Sequence, residues 1–189
     1  MKMSKIRRRL GESLNHGRVA TVVRDAFDVT MTDGFVIALT DEWLVMHGLE
    51  DGVHLDDIVM LRLRDVSRVW FRDDDAYHHR AIAGLGQSVA SFECDDTASA
   101  RELLNAASGR ADILAIHLET LQGEPLFVGR VVDVRKKSFD LHYVGRDGVW
   151  SGNVDRLKYR DVTRIELGGR YLQALSRFAD PYPGSAESE

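Results

Sequence analysis

One cysteine, Cys94, is all the thiol that the 189 residues contain. A single cysteine excludes an intrachain disulfide and any Cys-x-x-Cys metal or redox pair. It suits a reducing compartment, and a cytoplasmic location is the expectation. Its neighbours Glu93, Asp95 and Asp96 are acidic, the reverse of the electropositive setting that activates a thiolate, so Cys94 is no nucleophile candidate. No apolar run approaches the roughly 20 residues that a membrane helix needs. The first residues, MKMSKIRRRLGESLNHG, are cationic but lack the apolar stretch of a signal peptide. Proline is scarce as well: two of the three sit in the polar tail PYPGSAESE, which is expected to be flexible from residue 181 to 189. Positive charge is in deficit, with 25 Lys and Arg against 30 Asp and Glu and a formal net charge of −5, which removes the general electrostatic case for nucleic-acid binding. Catalytic and metal motifs are missing too. There is no GxSxG and no HExxH. In Gly84-Leu85-Gly86-Gln87 a third phosphate-loop glycine would fall on Val89. His78 and His79 are adjacent, and neighbouring side chains diverge on a helix, so no metal and no cofactor is expected there.

What the chain does have is 44% hydrophobic residues, enough for a core, and an internal echo. Leu61-Arg62-Leu63-Arg64-Asp65-Val66-Ser67-Arg68-Val69 returns 96 residues later as Leu157-Lys158-Tyr159-Arg160-Asp161-Val162-Thr163-Arg164-Ile165. The same spacing matches Asp51-Gly52-Val53 with Asp147-Gly148-Val149, Trp43 with Phe139 and Val36 with Val132, and a two-residue shift matches Tyr77 with Tyr171. Ordered matches at one spacing imply a duplication, and two copies imply tandem domains. The expected domains are 1–94 and 95–180.

In the second copy, residues 112–121, 126–135, 138–144, 149–159 and 163–167 alternate apolar and polar positions, with turn residues between them. Gly145-Arg146-Asp147-Gly148 has the chemistry of a tight hairpin. The first copy repeats this at 18–24, 35–40, 43–48, 58–64 and 67–71, with Ser88–Glu93 a candidate extra strand. Helices are expected before each copy, at the N-terminus and over 95–109, and Gly-Arg follows each, at 17–18 and 109–110. Closing helices are expected after each, with Tyr77, Ala81 and Leu85 in one and Tyr171, Leu175 and Phe178 in the other at inward-facing spacing. Asp73 to Asp75 would cap the first of these. In the repeated phrase Val162 and Ile165 are three apart, which breaks strand alternation. A tight 3₁₀ turn at 160–162 would let Val162 plug the end of the sheet while Ile165 begins the last strand, and likewise Val66 and Val69.

This order of features resembles Sm-like domains, within the broader class of SH3-like barrels: a leading helix, five bent strands, and a short turn joining strands four and five. The resemblance spans 110–178 and, more loosely, 17–82. It implies a mainly β chain with short helices, built as two tandem five-stranded bent antiparallel barrels, each preceded by a helix. The aromatic of the Sm-like RNA-binding loop falls on Trp43 and Phe139, but its asparagine is replaced by Leu44 and Asp140, and the Arg-Gly step reads Arg64-Asp65 and Arg160-Asp161. The fold is therefore what carries over, and the uridine-recognition motif does not.

Candidate binding residues are the cations of the second copy, chiefly Arg135, Lys136, Lys137 and Arg160, with Arg130, Arg156 and Lys158 nearby, and the repeated arginines Arg64, Arg68 and Arg164. With Phe139, Tyr143, Trp150 and Tyr159 they would offer charge and stacking to RNA. The competing reading is that the aromatics are core and the cations solvated. Arg7, Arg8 and Arg9 lie on an amphipathic helix with Ile6, Leu10 and Leu14, which packs its apolar stripe on the sheet or meets an acidic partner. The leading functional expectation is a non-catalytic binding or assembly module that self-associates into a homo-oligomer through its edge strands or binds another protein. RNA binding by the second copy is the alternative, and an enzyme with a site between the copies is the weakest reading.

Overall fold

The computed structural model describes residues 1–27, 31–73, 75–123 and 125–185. Asp74 of the expected helix cap and the last four tail residues lie outside the described residues. The chain is mainly β, and its described residues form ten strands in antiparallel ladders and four helices. It divides into two compact units, Met1–Ser99 and Ala100–Glu189.

Unit 1 begins with α1 (Met3–His16), followed by β1 (Val19–Val23), β2 (Thr32–Leu39), β3 (Trp43–Glu50) and β4 (His54–Arg62). A 3₁₀ corner (Leu63–Asp65) leads to β5 (Arg68–Phe71) and then α2 (Asp75–Gly84). Its strand order is β5-β1-β2-β3-β4. One face of this sheet, with Ala20, Val22, Val36, Leu44, Met46 and Leu61, packs on Ile6 and Leu10 of α1. On the other, Val19 and Phe35 pack on Ile82 of α2. Gly17 ends α1 in the left-handed region (φ 60°) and returns its N–H to Ser13 O.

Unit 2 repeats the plan: α3 (Ala100–Ser108), β6 (Leu114–His117), β7 (Leu126–Val134), β8 (Ser138–Val144), β9 (Trp150–Lys158), a corner (Tyr159–Asp161), β10 (Arg164–Gly168) and α4 (Gly169–Phe178). Its order is β10-β6-β7-β8-β9. Leu172 and Leu175 of α4 pack against Ile113, Ala115, Val128 and Val144.

The expected closed barrels are not what the ladders form. Among the described residues no ladder joins β5 to β4 in unit 1, or β10 to β9 in unit 2, so each sheet is open. The reason lies in the corner. It redirects the chain, and the short strand beyond it (four residues in β5, five in β10) forms its own-unit ladder with β1 or β6.

The two corners are bonded alike at both ends. Each begins with an N–H to the turn between the second and third strands, Leu63 to Glu42 O (2.8 Å) and Tyr159 to Lys137 O (3.4 Å). Each closes with Val66 or Val162 donating to the corner's first carbonyl (3.2 Å in both). Then Ser67 N and Thr163 N donate to the end of the first strand, Val23 O (2.8 Å) and His117 O (2.9 Å). The two hydroxyls donate to those same carbonyls, at 2.9 and 3.0 Å. Each hydroxyl also accepts the N–H two residues further along, from Asp25 (3.0 Å) and Glu119 (3.3 Å). Val66 and Val162 are buried beneath. The expected turn is present one residue earlier, at 159–161.

The uniform spacing of 96 needs correction. It holds for β5, the corners and β4 from Ile58 onward, whereas Leu55 at the start of β4 matches Trp150 at 95. In β2 and β3 the ladders match Gly34 with Gly129 and Leu44 with Phe139, a spacing of 95, so Val36 corresponds to Val131 and Trp43 does not correspond to Phe139. The bulges agree, falling after Val36 and His47 in one unit and after Val131 and His142 in the other. Gly34 and Gly129 fix this register, because a Cβ on either would collide with a carbonyl oxygen across the ladder, that of His47 or His142.

Three smaller expectations also change. Of the residues expected to face inward from the closing helices Leu175 is buried, but Tyr77, Tyr171 and Phe178 are exposed, and His78 and Ile82 in α2 and Leu172 in α4 take the buried positions. Ser13 replaces Leu14 on the buried stripe of α1 because its hydroxyl donates to Arg18 O and accepts Val36 N–H. Ser88–Glu93 forms no strand, and Ala90 N–H there donates to His47 Nδ1 (2.9 Å).

Gly34→Ala and Gly129→Ala should each destabilise the fold by about 2–3 kcal/mol through that collision, read as a lower urea midpoint. Val66→Ala and Val162→Ala should each cost about 2 kcal/mol from two lost methyls and the void they leave. A cost below about 0.5 kcal/mol at either valine would refute its role as the plug under the corner.

Candidate functional site

The repeated arginines do not converge on a pocket. Arg64 and Arg160 project from the corners, each beside the carboxylate that follows it, Asp65 at 3.7 Å and Asp161 at 3.5 Å, and both are strongly exposed. Arg68 pairs with Asp25, whose carboxyl is held below its ordinary value first by the Arg68 hydrogen bond and then by that of Ser67. Arg164 is the exception, being largely buried against Glu166. Burial pushes the Glu166 carboxyl up, but its pairing with His117 (3.3 Å) and with Arg164 outweighs it and leaves it lowered. These contacts hold strands together, and they leave Arg64 and Arg160 as the outward members.

The cations of unit 2 gather at one end of its sheet. Lys136 and Lys137 form the exposed turn between β7 and β8. Tyr159 N–H bonded to Lys137 O sets the corner, with Arg160, against that turn. Lys158 lies opposite Ser138 in the ladder, which brings it to the same end. Arg135 is more engaged, with Asp133 at 2.7 Å and Asp140 at 3.0 Å, and Arg156 holds Asp140 from the other side at 2.8 Å. The matching turn of unit 1 carries Asp41 and Glu42, both exposed, so equivalent turns bear opposite charge.

Of the aromatics expected to stack, Phe139 and Tyr159 are buried and pack on one another at 5.3 Å. Trp43 is buried too. Trp150 and Tyr143 are half-buried. A separate aromatic group, not expected from the sequence, lies on unit 2: Trp150 meets His142 at 5.4 Å and Tyr182 at 5.0 Å, and Arg130 lies over the Tyr182 ring at 4.6 Å. Its one sequence signal was that two of the three prolines flank a single tyrosine, in Pro181-Tyr182-Pro183.

The cations of α1 are directed at its own unit. Arg7 donates to Asp41 O, Arg9 to Val69 O, and Arg8 pairs with Glu12. A shallow cleft of about 390 Å³ in unit 2 is lined by Arg110, Asp112, Ile113, Gly168, Leu172 and Arg177 among others. Cys94 is half-buried. Among the described residues no three His, Cys, Asp or Glu side chains gather as metal ligands do, and no helix is long and apolar enough to cross a membrane.

No protein-family model, curated protein or solved structure matches the chain.

The Asp140 clasp makes a pH prediction. Hydrogen bonds from Arg156 and then Arg135 hold its carboxyl down at about 2, against an ordinary 3.8. A lowered folded value stabilises the fold above the ordinary value, and that gain is lost as pH falls toward the folded one. Urea midpoints of the wild type and Asp140→Asn should therefore differ at pH 5 and converge as pH falls from 3.8 to 2. A difference that stays constant over that window would show that the clasp contributes nothing through its charge.

Proposed function

We propose that the chain is a non-catalytic assembly module of the Sm-like kind, whose copies join through exposed sheet edges. The strand orders β5-β1-β2-β3-β4 and β10-β6-β7-β8-β9, the helix before each sheet and the 3₁₀ corner before each last strand support the Sm-like assignment. One observation carries the assembly reading. β9 is nine residues long, pairs with β8 alone among the described residues, and is exposed over Asn153 to Arg156. Such a strand presents unpaired backbone groups to a second chain. By contrast α1 already engages the β5 end of unit 1, through Arg9 on Val69 O and the terminal ammonium on Ser67 O. Pairing of β9 with β9 closes as a dimer with two-fold symmetry, whereas pairing of β9 with β5 continues head to tail. The acidic turn of unit 1 and the basic turn of unit 2 favour the head-to-tail form.

Light scattering between 1 and 100 μM (the span, roughly, of moderate interface affinities) should show mass rising with concentration. Val154→Lys, which puts a charge on the exposed edge, should hold the chain monomeric. A wild type that stays monomeric throughout would refute the proposal.

RNA binding is the second reading, favoured by the clustering of Lys136, Lys137, Lys158 and Arg160 at one end of unit 2. Filter binding of a short single-stranded RNA should then weaken steeply with salt, with log K falling by about 0.7 per phosphate contact for each log unit of salt. Lys136→Ala with Lys137→Ala should lower the slope by about 1.4. No binding near 50 mM salt would end this reading.

A further inference from the structure

After α4 the chain does not leave the sheet of unit 2. Ala179 is extended in the polyproline region, with φ −65° and ψ 162°. The Asp180 N–H donates to Gly148 O (2.9 Å), and the indole Nε1–H of Trp150 donates to Asp180 O (2.8 Å). Tyr182, held between Pro181 and Pro183, then enters a slot made by three side chains. Arg130 covers its ring, Trp150 meets it edge-on at 5.0 Å, and His142 meets it edge-on at 5.5 Å with Nδ1 3.5 Å from the phenol oxygen. His142 is fixed by Ser151 O at 2.7 Å from Nε2. Gly148 (φ 79°) lets the tail come close, since a side chain there would press on Ala179. Trp150, His142, Arg130 and Tyr182 are all half-buried, so the tail lies on the surface and outside the core.

These are the contacts by which an aromatic-lined groove takes a proline-rich segment: an indole N–H to a backbone carbonyl, a ring slot between flanking prolines, and a ligand whose conformation is set in advance. We propose that Arg130, His142, Gly148 and Trp150 form a recognition groove for a Pro-Tyr-Pro segment of a partner protein, extended up to its first proline and turning at its second, which residues 179–183 of the chain itself occupy as an internal competitor. The resident segment defines the ligand: an acceptor carbonyl and a donor N–H on the residue before the first proline, then an aromatic ring over a cation. The groove belongs to unit 2. At the equivalent histidine of unit 1, His47, the ring Nδ1 accepts the Ala90 N–H of the segment 88–93. Tethering gives the internal segment an effective concentration on the order of millimolar, so a partner must displace it to bind. The proposal stands apart from edge assembly, which uses the outer side of β9.

The test is calorimetric titration of the full chain with the synthetic peptide Ala-Asp-Pro-Tyr-Pro-Gly, and with the same peptide carrying Ser for Tyr. Tyr182→Ala should empty the slot and bind the Tyr peptide at least tenfold more tightly than the wild type does. The Ser peptide should bind at least tenfold more weakly, and Trp150→Phe in the Tyr182→Ala chain should weaken the Tyr peptide by removing the indole donor. Should Tyr182→Ala not fold, Pro181→Gly with Pro183→Gly loosens the tail while leaving every groove residue in place, and the same ranking is expected. Absence of binding to either loosened chain, equal binding of the two peptides, or equal binding by the wild type and the loosened chain would each overturn the proposal.

Discussion

A hydroxyl hydrogen-bonded to a strand's last carbonyl is the contact on which each unit depends. Ser67 and Thr163 each follow a one-turn corner, and each ties the last strand to the end of the first through both backbone and side chain. Fixing the corner at two points, to the turn of the second hairpin and to the first strand, makes a short strand of four or five residues viable. Strands this short bury little and would not hold register alone. With the corner fixed, a buried valine seals the sheet beneath it, and the helix that follows starts from a defined place.

The same geometry explains why charged residues abound near the corners without forming a shared pocket. Arg68 with Asp25 and Arg164 with Glu166 and His117 are substitutes for one another: each stitches the foot of the last strand, once at the surface and once largely buried. What differs between the units is the opposite hairpin turn, acidic at Asp41 and Glu42 and basic at Lys136 and Lys137. The two units thus share the joint and differ in the charge on the turn beside it. Two halves with one fold and opposite charge at the same place can meet a neighbour in a directional way.

Much of the fold was legible in the sequence. The repeated phrase marked the corner to within one residue, because a valine followed three later by another apolar residue cannot be a plain strand. Gly17 and the Asp147-Gly148 turn chemistry marked ends correctly. The sheet's openness was not legible, since closure depends on whether distant strand ends meet, and no local pattern records that. The rotation of α2 and α4 was missed because Tyr171, Leu175 and Phe178 compete with Leu172 and Leu175 for the same turn, and a large ring with a polar tip tolerates exposure. Of the proposed site, the lysines of the β7–β8 turn were visible as a run, but the carboxylates that occupy Arg135 and Arg156 come from register. The Tyr182 slot joins residues 30 to 52 positions apart and left only its prolines as a trace.

The spacing between matching residues grows from 94 in the first strand to 95 in the second and third and 96 in the fourth and fifth. The first increment falls in the connection between the first and second strands, and the second falls inside the fourth strand, where Trp150 and Val154 are four positions apart against three for Leu55 and Ile58 and a bulge takes up the extra residue. A length difference that lies in a connection is a guide to sites that tolerate insertion. The connection between β6 and β7, one residue longer than its counterpart between β1 and β2, is where a fluorescent label or an epitope can be inserted at least cost to folding.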